Sequence, residues 1–194
     1  KEDLTALFRA IAAEQELYVP VKSAGKVNFG PWSEDAEVDI DTLKSVKSPK
    51  DIFFPQSENL YTCEREGRKL KVEPEALKEQ KFTVFGVKVL DQVFLADPVD
   101  SFYAARRKHG TMVAIACHEP EESCFCKVFG IDCAEPAADV AAWFAGEELY
   151  WKALTEKGQT LTEILSGLLT DADTEDEKKL SEEQTAIRAI VEKL

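Results

Sequence analysis

Four of the five cysteines in this chain of 194 residues fall in one short stretch, spaced Cys117-x6-Cys124-x-Cys126-x6-Cys133. Thiolates at this density are the donor set of structural zinc and of iron–sulfur clusters, which favour a short loop whose backbone N–H groups can face the sulfurs. The spacing matches neither the bacterial ferredoxin run nor a zinc ribbon, so the residues alone leave the metal open. Two other chemistries compete. Cysteine is often a small buried residue, but "CHEPEESCFC" carries Glu119, Glu121, Glu122 and Ser123 and is too polar for that role alone. A nucleophilic thiol needs a neighbouring cation to become a thiolate; His118 is adjacent, yet the surrounding carboxylates oppose it. His118 itself reads equally as a ligand or as an exposed loop residue.

The cysteines take their position from the segment before them. "TMVAIAC" (111–117) is a continuous apolar run, the pattern of a strand buried on both faces of a parallel sheet. Cys117 ends it, which puts the cluster at the carboxyl edge of a sheet, where open α/β folds bind ligands. "KFTVFGVKVL" (81–90) predicts a second buried strand, and residues 101 to 109 a helix capped by Asp100 or Ser101. Leu4, Leu7, Phe8 and Ile11 fall at helical spacing and predict an amphipathic helix over 3–14. "LYVPV" (17–21) predicts an edge strand, because Pro20 cannot donate to a ladder. Residues 22 to 51 read as a long surface excursion containing Phe29 and Trp32, "KDIFFPQSENLYTCE" (50–64) as the opening of the next packed element, and 61–72 as short strand pieces. "ADVAAWFAG" is ambiguous between helix and strand; "ELYWKALT" (148–155) reads as a strand. Thr160-Leu-Thr-Glu163 has the capping-box pattern of a helix running to about Leu169. "TDADTEDEKK" reads as an acidic linker, followed by a helix capped at Ser181 with Ile187, Ile190, Val191 and Leu194 in one stripe. The expected fold is α/β: a small, mostly parallel or mixed sheet with flanking helices, in a domain over 1–170, with the acidic linker and terminal helix over 171–194.

Composition narrows the function. A hydrophobic content of 44% supports a sizeable core. A net charge of −13 argues against nucleic acid, since phosphate binding needs clustered Lys and Arg, and Arg106-Arg107-Lys108 is too short to reverse that. No apolar run reaches the roughly 20 residues of a membrane span and no signal peptide opens the chain, so the expectation is a cytoplasmic protein without membrane insertion. An odd number of cysteines without a secretion signal points to thiols in a reducing compartment.

"FGV", "LDQVFLADPVDSFYAARRKHGTMVAIACHEPEESCFCKVFGID" and "LYWKALTEKGQTL" together resemble the amino-terminal domain of a family of iron–sulfur electron-transfer subunits. That family includes the iron–sulfur subunit of anaerobic sulfite reductase and the beta subunit of sulfur-reducing nickel–iron hydrogenases. Its order is a strand ending Gly-Val-Arg-x-Cys-Asp, a Leu-Asp-x-Val-Phe helix, a Tyr-x-x-Arg-Arg helix, then Cys-x-x-Pro and Cys-Phe-Cys. Phe85-Gly86-Val87-Lys88, Leu90-Asp91-Gln92-Val93-Phe94, Tyr103, Arg106 and Arg107, and Cys117, Pro120, Cys124, Phe125 and Cys126 match these pieces in turn. "SPKDIFFPQSENL" is similar to an upstream Pro-Lys-x-x-x-Phe-Pro segment, so the resemblance covers most of residues 49–165. It departs where Lys88 runs directly into Val89, omitting the Cys-Asp pair that would supply a fourth thiolate; Cys133 then becomes the replacement ligand. Family members usually continue into a ferredoxin-like domain with two Cys-x-x-Cys-x-x-Cys-x-x-x-Cys-Pro runs; these residues hold no such run and end after the terminal helix, so the resemblance implies an excised amino-terminal domain that leads into it.

The resemblance implies a 4Fe-4S cluster on Cys117, Cys124, Cys126 and Cys133. It also implies that the domain passes electrons to catalytic, flavin or ferredoxin-type partner subunits rather than making bonds itself. Arg106 and Arg107 become candidates to balance the charge of such a cluster or to dock a partner. The alternatives are a structural zinc or protein-interaction module built on the same four cysteines and, third, a thiol enzyme. Phe102, Tyr103 and the three tryptophans read as packing residues, and Cys63 as an inert thiol.

Overall fold

A computed structural model describes residues 2–36, 38, 40–44, 49–53, 61–74, 81–87, 94–120, 122, 124, 126–146 and 148–194. Six strands form one mixed sheet: β1 (Glu16–Ser23), β2 (Lys26–Pro31), β5 (Phe82–Val87), β6 (Gly110–Ile115), β7 (Val140–Ala145) and β8 (Glu148–Ala153), in the order β2-β1-β5-β6-β7-β8. β1, β5, β6 and β7 run parallel, while β2 and β8 are antiparallel additions at the two edges. A separate hairpin of β3 (Tyr61–Glu66) and β4 (Lys69–Pro74) stands outside this sheet. The α/β expectation holds, with the sheet mixed at its margins.

The central strands are apolar on both faces because both faces are covered. All of β6 is buried. Val113 and Ile115 pack with Phe85, Val140 and Ala142 beneath α1 (Glu2–Glu14) and the later helix α5 (Glu156–Ile164). Met112 faces the other way, against Phe82, Tyr103 and Phe53, the last two supplied by α4 (Ser101–Arg107) and the short α3 (Lys50–Phe53). Ala116, Ala141 and Trp143 continue that second face under α6 (Thr174–Val191), which contributes Leu180. A further short helix, α2 (Ile40–Lys44), packs near β1 through Leu43.

Several segments differ from what the residue patterns predict. β1 lies inside the sheet rather than at its edge. Its pairing with β5 stops at Tyr18, two residues before Pro20, so the proline, registered with Phe29 of β2, lies beyond the β5 ladder. The surface excursion expected over 22–51 contains β2, joined to β1 through Ala24 and Gly25. Both residues have positive φ, the geometry of a two-residue hairpin turn. Within that stretch Trp32 packs back onto the core, edge-on to Phe8 at 6.1 Å, as expected of a packing residue. "ADVAAWFAG" resolves to a strand.

Helix α5 starts five residues before the Thr160 capping pattern. Thr155 is its cap, accepting from Gly158 N, and Thr160 sits inside the helix with its hydroxyl bonded to the Glu156 carbonyl. The acidic stretch read as a linker is the first part of α6. Asp173 and Asp176 form a reciprocal capping box, and Glu175 and Glu177 add negative charge where the helix dipole favours it. The helix expected over 101–109 is α4, and Asp100 caps it by accepting from the N–H groups of Phe102 and Tyr103. The Lys88–Val89 junction lies outside the described residues, as does most of the Leu90–Phe94 match.

Candidate functional site

Parallel neighbours need a crossover, and in α/β units a helix usually provides it. β5 reaches β6 that way, through α4. β6 reaches β7 through residues 116–139, where the described residues hold no α-helix, only a 3-10 turn over Cys126–Phe129. The cysteines therefore occupy a crossover that has given up its helix. Long irregular connections in a compact domain are usually functional. α6, arriving later in the chain, covers the sheet face beside this loop, on the same side as α4.

Backbone bonds fold the loop onto itself. Cys117 N–H donates to the Cys133 carbonyl at 2.8 Å, and Ile131 N–H to the Cys126 carbonyl at 2.9 Å. Buried Trp143 donates its indole N–H to the Ala134 carbonyl at 2.7 Å, fixing the residue after Cys133 to β7. These contacts bring Cys117, Cys126 and Cys133 to the carboxyl rim of the sheet, each half-buried and none in a disulfide. The sulfurs are near enough to sense one another. Burial pushes the Cys133 thiol up to about 11, and charge on Cys117, Cys126 and Asp132 adds to the rise. Cys124 is exposed. His118 is exposed and, with Cys117, borders a cavity of about 20 Å³, room for about one water, closed on its far side by Glu183 and Ile187 of α6. Cys63 is exposed on the remote β3–β4 hairpin.

The donor chemistry suits a thiophilic metal, since three thiols share a polar, accessible rim. Among the described residues no three His, Cys, Asp or Glu side chains converge on a single point, as one ion would require. A cluster asks for something different, because each iron takes its own thiolate and the ligating sulfurs stand apart.

Arg106 and Arg107 lie at the opposite, amino edge of the sheet. Arg107 pairs with Asp139 at 2.8 Å, both side chains nearly buried, and also donates to the Gly110 carbonyl at 2.7 Å. Burial pushes the Asp139 carboxyl up, but donation from Met112 N–H, Arg107 and Thr155 outweighs it and holds the group below its usual value. The Arg106 guanidinium rests 5.5 Å from the centre of the Phe82 ring. The fold thus separates the two arginines from the thiols they were expected to serve.

The cations beside the thiols come from elsewhere. Arg188 of α6 donates from Nε and Nη2 to Asp132 Oδ2 at 2.9 and 2.7 Å, and from Nη2 to Glu135 at 3.4 Å. Hydrogen bonding to Asp132 holds the Arg188 guanidinium above its ordinary value against a lowering by burial; charges on Asp132, Glu135 and Cys133 reinforce it. Lys127, next to Cys126, reaches Glu192 just beyond α6 at 3.4 Å. Arg188 sits far along the sequence on a helix read only for its apolar stripe. Its signal was available: Ile187 and Arg188 are adjacent, so a helix that buries the first at a sheet's rim holds the second over the neighbouring loop.

The chain is a distant homologue of a sulfhydrogenase beta subunit. It is 28% identical to the sulfhydrogenase 2 subunit beta of Pyrococcus furiosus over 141 residues, covering 69% of this chain and 40% of the relative's length. Neither a family model nor a solved structure matches the chain. Among the described residues no helix is long and apolar enough to cross a membrane.

Proposed function

We propose that this chain is part of the electron-transfer subunit of a hydrogenase-type redox complex, with an iron–sulfur cluster of the 4Fe-4S kind at its cysteine rim. The observation that carries the reading is the gathering of Cys117, Cys126 and Cys133 at the carboxyl edge of a parallel sheet in a homologue of a sulfhydrogenase beta subunit. Cys124 is the fourth candidate, on the exposed part of the same loop. A bound cluster supplies reversible one-electron chemistry. The chain's own residues do the rest. The Cys117–Cys133 and Cys126–Ile131 backbone bonds hold the thiols on one rim, and Trp143 anchors the return leg of the loop. Burial and the neighbouring sulfurs raise the Cys133 pKa, so Cys133 itself is no activated nucleophile.

The sulfite reductase relation, a cytoplasmic setting, and catalytic, flavin or ferredoxin-type partner subunits belong to the same proposal. The second reading, a structural zinc or interaction module on the same cysteines, rests on the same donor set. Anaerobic preparation followed by dithionite titration separates the two. An iron–sulfur protein has broad visible absorption that bleaches on reduction, whereas a zinc protein is colourless and unresponsive; a colourless preparation after reconstitution with iron and sulfide overturns the cluster.

A further inference from the structure

We infer that Arg188 is a positioning residue for the thiol rim, holding the Asp132–Glu135 turn and its Cys133 against Cys117 and placing a positive charge beside the sulfurs. The inference rests on the thiol rim being the site proposed above, but its geometry stands by itself. One carboxylate joins helix to loop: Asp132 Oδ2 takes both Arg188 contacts, while Oδ1 accepts from Ala134 N–H at 3.0 Å, tightening the turn around Cys133. Glu135, on the far side of Cys133, is the second carboxylate that Arg188 reaches. One guanidinium therefore grips the residues flanking the thiol. The turn is in turn bonded to the other strand of the site through Cys117 N–H and the Cys133 carbonyl. Ile187, buried beside Arg188 and bordering the Cys117 cavity, sets the depth of the helix at this point.

The same contacts fix where the charge lies. Thiolates bound to a cluster add negative charge to a chain that already carries −13, and nearby cations and N–H donors make such a site easier to reduce. Arg107 and Arg106 are committed at the other edge of the sheet. Arg188 is the arginine held at this turn, by its contacts to Asp132 and Glu135 on either side of Cys133. Arginine suits this double task because its planar fork can hold two acceptors in a fixed geometry, which a lysine cannot.

Two measurements on the full chain test this. Hydrogen exchange of the metal-free protein reads positioning without any cluster. Arg188→Gln should speed exchange of the Ala134 and Cys117 amides about fivefold, the equilibrium factor for an exposed ion pair worth ~1 kcal/mol. The Met112 and Leu154 amides, bonded to Asp139 at the far edge, should not change. Unchanged Ala134 and Cys117 exchange, or equal acceleration at Met112, overturns positioning. The reduction potential of the reconstituted chain reads the charge. Arg188→Gln should shift it negative and Arg188→Lys should keep it near the parent value; equal potentials in all three overturn the electrostatic part. Should the parent chain take up no iron, the cluster proposal fails, while the exchange result still decides whether Arg188 holds the turn.

Discussion

Asp139 and Cys133 stand at opposite ends of the same pair of parallel strands, and the fold treats their negative charges in opposite ways. Asp139 is almost fully buried but receives Met112 N–H, the Thr155 hydroxyl and the Arg107 guanidinium, so its carboxylate is favoured. Cys133 is half-buried among other sulfurs and beside Asp132, so its thiolate is disfavoured. A buried anion given donors from the surrounding chain is a structural device. The amino edge is thus built as a foundation, while the carboxyl edge is the one proposed above as the working surface, where open α/β sheets bind ligands.

The largest expected effect lies at the foundation. Asp139→Ala leaves Arg107 buried without its carboxylate and should cost about 3–5 kcal/mol, measured by urea unfolding. Gly158→Ala should follow, at about 1–3 kcal/mol, because a Cβ there runs into the Asp139 backbone carbonyl, which has no flexible end to give way.

Acid sharpens the same contrast. The folded pKa of Asp139 is depressed, so its contribution is fully present above the unfolded value of about 3.9 and is lost as pH falls from there through the folded value. Unfolding scans at stepwise lower pH should show this loss, and Asp139→Asn should remove that component. At the carboxyl edge the effects on folding are smaller. Cys117→Ser and Cys133→Ser should each change stability by about 1 kcal/mol yet abolish iron loading, while Cys63→Ser leaves loading intact. Least of all, Lys127→Ala removes an exposed pair with Glu192 and should shift stability by under ~0.5 kcal/mol.

How far the sequence alone reached follows the same division. β5, β6 and the Asp100-capped α4 were readable because continuous apolar runs and a single capping carboxylate are local signals. The β1–β2 hairpin was missed at Ala24-Gly25, where one glycine in a stretch rich in Pro, Ser and acidic residues hid a tight turn. The start of α6 was missed because its charges suggested solvation, although Asp173 and Asp176 cap it. That Cys117, Cys126 and Cys133 share one loop at the sheet's rim was legible from their spacing and the apolar run before them. The partners of Arg107 and Arg188 were not, because each is set by tertiary contact: Arg107 meets Asp139 across a crossover, and Arg188 meets Asp132 from a helix 56 positions further along the chain.

The most direct test of the central claim is the iron and acid-labile sulfide bound per chain after anaerobic reconstitution, compared between the parent chain and a Cys117→Ser/Cys133→Ser double variant. Iron and sulfide in near-equal amounts in the parent, lost in the variant while the variant stays folded, is the predicted result. No iron in the parent, or the same iron in both, would contradict the assignment of this rim as a cluster site.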